Sequence, residues 1–142
     1  MLGLLQGPAH AGDKVSYKGD CEGKPAEQWL TGVWHSAFAA GDKITVEIRR
    51  AGSEFVWTYD RAAGVVTQRW GEKPTARAAG KVTSVDGCAV ELRGAYTAYG
   101  GTQRAVGSMM EYSMVFDGGL TMSGSGFGFG RERFGDRWVK RD

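Results

Sequence analysis

Hydrophobic and polar residues alternate along most of the chain from residue 33 onward. In residues 43–50, Ile44, Val46 and Ile48 fall on one face of an extended chain, and most polar side chains fall on the other. A period of two is typical of a strand with one buried side. The same pattern predicts further strands at residues 54–60, 65–70, 80–85, 88–93, 95–99, 105–116, 120–129 and 131–141.

Short turn sequences separate these stretches. Asp86-Gly87 is a two-residue hairpin signal, and Asp117-Gly118-Gly119 separates two later strands in the same way. Strands joined by short turns pair as antiparallel neighbours, so the chain predicts a meander. A short helical turn is expected at residues 25–30, where a proline precedes Ala-Glu-Gln-Trp.

An open meander leaves two edge strands unpaired, and closure into a barrel removes both edges. We therefore predict an all-β fold, a single antiparallel up-and-down β-barrel of about eight strands. The barrel domain is expected to comprise residues 25–142, and residues 1–24 are expected to form a leader remnant and an extended tail.

Glycine accounts for 23 of the 142 residues, roughly twice its ordinary share. In a barrel, glycines are expected where strands bend and backbones approach closely. The glycine-rich stretch 124–130 is not followed by a helical pattern, as a phosphate-binding loop would be. It is predicted to be a bent strand, with Phe127 and Phe129 sharing a face and the glycines opposite.

The charge balance argues against a nucleic-acid partner. Lysine and arginine total 18 against 16 acidic residues, a formal net charge of +2, so no nucleic-acid partner is expected. An apolar content of 42% indicates a folded chain rather than a disordered one. No run of about 18 apolar residues occurs, so no membrane-spanning segment is predicted.

The first eleven residues resemble the end of a secretory signal peptide. Leucines cluster in residues 2–5, and Ala9-x-Ala11 matches a small-residue cleavage pattern. Export would place the protein in an oxidising compartment, so we predict a periplasmic or secreted location.

Cys21 and Cys88 are the only cysteines. In an oxidising compartment they can pair and close a long loop, and we predict this disulfide. The alternative is two separate buried thiols that act as small apolar side chains. With His10 and His35, the cysteines lack the clustered spacing of a zinc site, so neither a metal nor another cofactor is predicted.

The first and last strands of the predicted barrel contain motifs that resemble those of a known family. Gly32-x-Trp34 begins the first strand, and the chain closes with the basic segment Arg-Trp-Val-Lys-Arg at 137–141. This arrangement resembles the calycin pattern of lipocalins and avidins. The resemblance implies a barrel closed by packing of Trp34 against a basic side chain of the last strand, Arg137 or Arg141. Avidins carry an asparagine where this chain has Ser36, and no biotin-site pattern is present.

No catalytic residue is assigned from the sequence. His35 follows Trp34 directly and therefore faces the opposite side of its strand, and no strand-to-helix serine motif accompanies it. Glu111 lies on a strand whose two faces are both largely apolar. It is either an outward carboxylate paired with an arginine or a proton-transferring group in a cavity.

Large aromatic and methionine side chains at inward-type positions give the main functional hypothesis. An eight-stranded barrel is wide enough to hold one small ligand or to be filled by its own side chains. Such residues suit a mostly apolar pocket, so non-catalytic binding of a small, partly hydrophobic molecule is predicted. The predicted ligand-binding residues are Trp57, Tyr59, Met110, Tyr112, Met114, Phe127 and Phe129.

Two alternatives stay open. A filled barrel could serve as a protein-interaction module, an accessory subunit or inhibitor, with Trp29, Trp70 and Trp138 as surface anchors. A barrel isomerase or cyclase could instead fold its substrate in a shaped pocket and use Glu111 or Tyr112 to move protons.

Overall fold

A computed structural model describes residues 14–37, 43–62, 75–100, 103–128 and 133–141. Within these ranges the chain forms one short helix and nine strands. In chain order they are β1 (Ser16–Lys18), α1 (Ala26–Trp29), β2 (Gly32–Ser36), β3 (Lys43–Ala51), β4 (Glu54–Ala62), β5 (Ala76–Asp86), β6 (Ala89–Tyr99), β7 (Met109–Phe116), β8 (Thr121–Phe127) and β9 (Phe134–Arg141).

The predicted barrel is confirmed. Each strand from β2 to β9 pairs antiparallel with the next strand along the chain, including β5 with β6. Strand β9 pairs back onto β2, with Ser36 opposite Trp138 and Trp34 opposite Lys140. This last pairing closes the eight strands into a barrel and leaves none of them with an open edge.

Several strand boundaries differ from the sequence-based prediction, and two of the differences have a clear local cause. The stretches at 88–93 and 95–99 form one continuous strand, because Gly94 faces the barrel interior and does not begin a turn. Strand β7 begins at Met109 rather than at residue 105, because residues 104–107 form a turn. The strand predicted at 65–70 lies outside the described residues.

Three strand glycines lie where the neighbouring strand is too close for a side chain. A β-carbon on Gly80 would overlap the carbonyl oxygen of Arg93, and one on Gly94 would overlap that of Ala79. A β-carbon on Gly124 would overlap the backbone of strand β7 in the same way. Strands that coil sharply around a small barrel need glycine at such approaches.

The segment before β2 covers one end of the barrel. Strand β1 runs parallel to the end of β5, from Ser16 opposite Ser84 to Lys18 opposite Asp86. The predicted disulfide is confirmed and joins Cys21 to Cys88 just after this strand pair. Helix α1 then places Trp29 on Phe116, with the two rings stacked at 4.5 Å.

Tyr17 holds this covering segment to the barrel wall. Its hydroxyl donates to the carbonyl of Val82 at 2.7 Å and accepts from the amide of Phe55 at 2.9 Å. Burial raises the pKa of Tyr17 above its ordinary value. The phenol therefore stays protonated and keeps donating across the neutral pH range.

The interior of the barrel is filled mainly by large side chains. Trp34, Trp57 and Trp138 are completely or almost completely buried, and the surrounding wall is aliphatic or methionine-rich. Among the described residues, no helix is both long enough and apolar enough to cross a lipid bilayer.

We expect the disulfide to contribute strongly to stability. The cysteines are 67 residues apart, and opening a loop of that size should lower the free energy of unfolding by about 4 kcal/mol. The double substitution Cys21→Ala, Cys88→Ala is to be compared with the wild type by urea denaturation. Reduced wild type should match the double variant, and an unchanged midpoint would contradict the assignment.

Gly94→Ala should destabilise the barrel by about 2–3 kcal/mol, because the new methyl group collides with backbone that has no room to move. The matched control is Gly119→Ala. A β-carbon there meets only the Asp117 carboxylate, at 3.5 Å, so stability should change by less than about 0.5 kcal/mol. Equal urea midpoints for the two variants would show that β5 and β6 are not in close contact at Gly94.

Candidate functional site

The two ends of the barrel differ in how they are covered. We call the end that carries the β3–β4, β5–β6 and β7–β8 turns the sealed end, because β1, α1 and the disulfide pack there. The last residues of β2, β4, β6 and β8 lie at the opposite end, which we call the loop end. A molecule that enters the interior must pass the loop end or displace the covering segment.

Trp34 and Lys140 form the main polar contact of the sealed end. The Trp34 indole donates to the carbonyl of Leu30 at 2.9 Å, and the Lys140 ammonium lies 5.6 Å from the centre of its ring. Lys140 also donates to the carbonyl of Trp29 at 2.9 Å. Gly32 leaves room for this lysine, since a β-carbon there would lie 2.7 Å from its Cε atom.

This geometry corrects the expected basic partner of Trp34. Trp138 points into the barrel, so the alternation of strand β9 turns Arg137 outward into solvent. Arg141 lies opposite Val33 and is also exposed. Lys140 is the inward position directly opposite Trp34, and it therefore takes the place that was predicted for Arg137.

At the loop end, four polar side chains form what we call the tyrosine–arginine cluster: Tyr59, Arg61, Tyr96 and Tyr99. Strand register explains how they meet. Arg61 and Tyr99 both lie opposite Ala76, one on each side of it, and Tyr59 and Tyr96 both lie opposite Ala78. The small alanines of β5 let long side chains from β4 and β6 reach across them.

Arg61 is a charged group inside the barrel, with only 4% of its surface exposed. Its guanidinium carbon lies 5.6 Å from the centre of the Tyr99 ring and the group is hydrogen-bonded to the Tyr99 hydroxyl. Burial alone would lower the pKa of Arg61, but the surrounding tyrosine oxygens raise it above its ordinary value. The site therefore holds a permanent positive charge.

A second buried charge lies near the seam between β2 and β9. Asp136 is also 4% exposed. Its carboxylate accepts from the Ser36 hydroxyl at 2.6 Å, the Arg137 amide at 2.8 Å and the Trp138 indole at 3.1 Å. Three donors satisfy this group, and all of them belong to the two strands that close the barrel.

Most of the residues predicted to bind a ligand do face the interior. Trp57, Tyr59, Met110, Tyr112 and Met114 are all buried. They are not gathered in one pocket, because their strands carry them to different heights in the barrel. Only Tyr59 belongs to the tyrosine–arginine cluster.

Tyr112 lies deeper in the interior and packs against other rings. Its ring centre is 4.7 Å from that of Trp138 and 6.1 Å from that of Phe134. The inward position opposite it on strand β8 is Gly126, whose missing side chain leaves room for the phenol.

Phe127 takes the opposite orientation from the one predicted. Because Gly126 faces inward towards Tyr112, the alternation turns Phe127 to the outer wall, where it is half-buried opposite Glu111. The expectation that the glycines of this strand leave space outside the barrel is therefore reversed. Phe129 lies outside the described residues.

Sequence reasoning missed Arg61, Tyr96 and Tyr99. The predicted strand ended at residue 60, one position before Arg61 continues the inward series of Phe55, Trp57 and Tyr59. The alternation of strand β4 was the available signal, because extending it from Tyr59 to the next inward position places Arg61 inside the barrel. It was overlooked because an arginine is rarely expected inside a barrel.

Glu111 lies on the outer wall, as the ion-pair alternative predicted. Its carboxylate is 3.4 Å from both Arg93 and Arg133 and lines a surface depression of about 470 Å³. Glu111 and its neighbour Tyr112 face opposite sides of strand β7, so they cannot act in one interior pocket.

The other candidate residues take structural or surface positions. His35 is half-buried on the outer face of strand β2. In the described part of the chain, one group of potential metal ligands comes close together, Cys21, Glu22 and Cys88. Its two sulfurs form the disulfide, so they are not available to a metal ion.

Lys140→Met should lower the free energy of unfolding by about 1–2 kcal/mol, since it removes the cation over Trp34 and a hydrogen bond to the carbonyl of Trp29. Arg137→Met on the outer wall is the matched control and should change stability by less than about 0.5 kcal/mol. Urea denaturation measures both variants. A larger loss from Arg137→Met than from Lys140→Met would restore Arg137 as the closing residue.

Comparison of the chain with protein-family models, curated proteins and solved structures finds no match.

Proposed function

We propose that this protein binds a small, partly hydrophobic molecule without transforming it, in the interior of a calycin-like barrel at the loop end. The observation that carries this proposal is the tyrosine–arginine cluster. It puts a buried guanidinium and three phenols inside the barrel, away from the end covered by the disulfide-linked segment. An apolar cavity wall with a few convergent polar groups is the usual composition of a ligand site.

Small and apolar side chains surround the cluster. Small side chains, Ala76 and Ala78, separate the long ones on either side, and Ile44 and Val46 continue the same two inward rows. An apolar body can pack on the aliphatic rows while the hydroxyl tips fix its orientation. Deeper positions are occupied by Trp57 and Trp138, so the site is confined to the loop-end part of the interior.

The position of Glu111 favours binding over catalysis. An isomerase or cyclase in this barrel was expected to use that carboxylate, which instead is held between two arginines on the outer wall. Tyr112, the other proton-transfer candidate, packs against Trp138 and Phe134. A carrier needs neither group to move a proton.

Two further features support a secreted or periplasmic calycin-like protein. The Cys21–Cys88 disulfide is a bond that persists in oxidising compartments. Gly32 and Trp34 stand at the start of the first barrel strand, with a basic side chain of the last strand over the indole. That arrangement is the one the calycin resemblance implies, with Lys140 as the cation.

Two of the three tryptophans that the interaction-module alternative requires at the surface are buried. Trp29 and Trp138 are 3% and 0% exposed, so neither can insert into a partner's surface. Trp70 lies outside the described residues.

Native mass spectrometry of protein purified from its source tests the proposal, because a bound molecule appears as extra mass that is lost on unfolding. A second measurement titrates the full chain with the neutral fluorescent probe N-phenyl-1-naphthylamine. We expect saturable binding of one probe per chain. Absence of both a co-purifying molecule and saturable probe binding would refute the proposal.

Ala76→Leu should weaken probe binding by about tenfold, because a larger side chain fills the gap between Arg61 and Tyr99. Ala89→Leu, at an exposed position of strand β6 near the sealed end, is the matched control and should bind as the wild type does. Circular dichroism confirms that each variant is folded. Equal losses from both substitutions would place the probe outside the interior.

A further inference from the structure

We propose that the outer wall of the barrel carries a second binding site, a polar groove across β6, β7 and β8 that takes a neutral saccharide. The groove is the surface depression of about 470 Å³ that Glu111 lines. The barrel wall separates it from the interior, because Glu111 and its neighbour Tyr112 face opposite sides of β7. This site is therefore additional to the interior site and does not depend on it.

Strand register arranges the outward side chains of the groove in two rows. The first row comprises Arg93, Glu111 and Phe127, and the second comprises Glu91, Ser113 and Ser125. Thr83 and Arg133 extend the polar lining. Leu92 and Tyr112 also line the groove, but their side chains are buried, so they contribute backbone atoms. The described lining is thus dominated by charged and hydroxyl-bearing side chains.

A carboxylate held between two guanidiniums fixes the centre of the groove. The Oε2 atom of Glu111 lies 3.4 Å from the Nε atom of Arg93, and its Oε1 atom lies 3.4 Å from the Nη2 atom of Arg133. Arg133 also donates to the Ser125 hydroxyl at 3.2 Å. These contacts orient the charged side chains before a ligand arrives, which reduces the conformational entropy lost on binding.

The ion-paired groups remain accessible and can still hydrogen-bond to a ligand. The exposed fraction of the side chain is 45% for Arg93, 50% for Arg133 and 29% for Glu111. Both ion-pair distances exceed the roughly 2.7–2.9 Å of a tight charge-assisted hydrogen bond. A sugar hydroxyl both accepts and donates, so it can bridge a guanidinium and a carboxylate without separating them.

The charge balance of the groove favours a neutral ligand over an ion. Its described lining contains two carboxylates, Glu91 and Glu111, and two guanidiniums, Arg93 and Arg133. An anion attracted by the arginines is repelled by the carboxylates, and a cation meets the opposite combination. A polyhydroxyl ligand uses the donors and the acceptors together and carries no charge to be repelled.

Phe127 points to a ring-shaped saccharide rather than an open-chain polyol. It lies directly opposite Glu111 on β8 and is half-buried on the outer wall. Directly opposite residues of paired strands have β-carbons about 5 Å apart, so the phenyl group is next to the carboxylate. Aromatic faces pack against apolar C–H surfaces. A β-linked glucose unit has equatorial hydroxyls around its rim and flat C–H faces, which matches this combination.

Cellotriose, a neutral trimer of β-linked glucose, is the probe for this site. It is titrated into the isotope-labelled full chain, and backbone amide shifts are followed by NMR. We expect saturating shifts centred on β6, β7 and β8, with a dissociation constant of about 1 mM. Inorganic phosphate, an anion, and triglycine, a zwitterion, should bind about tenfold more weakly or less. Absence of a saturating shift with cellotriose, or tighter binding of either comparison ligand, would overturn the proposal.

A competition experiment separates the outer site from the interior one. Cellotriose should not displace N-phenyl-1-naphthylamine, because the barrel wall lies between the two sites. Displacement would place the saccharide in the interior and overturn the proposal of an outer site. A chain that fails to bind the fluorescent probe refutes the proposed interior function, whereas the amide shifts with cellotriose still decide the outer site.

Substitution of the central carboxylate assigns the contact. Glu111→Gln should weaken cellotriose binding by about tenfold, because it removes a charged acceptor and the ion pairs that orient both arginines. The matched control is Glu47→Gln, an exposed glutamate on β3, which should change the affinity by less than about twofold. Circular dichroism confirms that both variants are folded. Equal affinities in the two variants would contradict the assignment of Glu111.

A milder pair of variants tests the same groove should Glu111→Gln disturb the fold. Ser125→Ala removes a hydroxyl that lines the groove and accepts from Arg133, so cellotriose should bind about threefold more weakly. Ser123→Ala, at an exposed outward position of the same strand, is the matched control and should bind as the wild type does. Equal effects of the two serine substitutions would show that the saccharide does not occupy the groove.

Discussion

Close backbone contact inside a small closed sheet is the constraint on which the rest of this structure depends. Eight strands can close only if they coil, and at Gly80, Gly94 and Gly124 the neighbouring backbones approach so closely that no side chain fits. These contacts set the strand register. The register in turn decides which residues face the interior, including Tyr59 and Arg61 on β4 and Tyr96 on β6. The candidate site is therefore a consequence of barrel closure.

The two ends of the barrel differ because the segment before β2 covers only one of them. Tyr17 ties β1 to the carbonyl of Val82 and the amide of Phe55, the disulfide holds the following turn, and Trp29 stacks on Phe116. Lys140 connects this covering segment to the last strand through the carbonyl of Trp29. Because these contacts are spread over several strands, the sealed end is held by the whole barrel.

Alternation and turn chemistry were sufficient to predict the barrel and its meander order, and the two cysteines together with the leader-like first residues predicted the disulfide. These signals did not predict which side chains face the interior, because that depends on the strand register. Phe127 shows why: its strand carries glycine at positions 124 and 126, so the large aromatic side chain pointed to the wrong face. Arg137 shows the same limit, because three basic residues lie within five positions and only register separates inward Lys140 from outward Arg137. Arg61 was missed because burial of a charge contradicts the composition rules by which a core is predicted.

The two buried charges of the barrel differ in a way that bears on their roles. Asp136 accepts three hydrogen bonds from β2 and β9, and its partners tie together the strands that close the sheet. Arg61 is placed among phenols on β4 and β6, across the small side chain of Ala76. The Arg61 guanidinium lies over the Tyr99 ring and is hydrogen-bonded to its hydroxyl. Asp136 therefore connects the two strands that close the barrel, whereas Arg61 connects β4 to β6 across the small residues of β5.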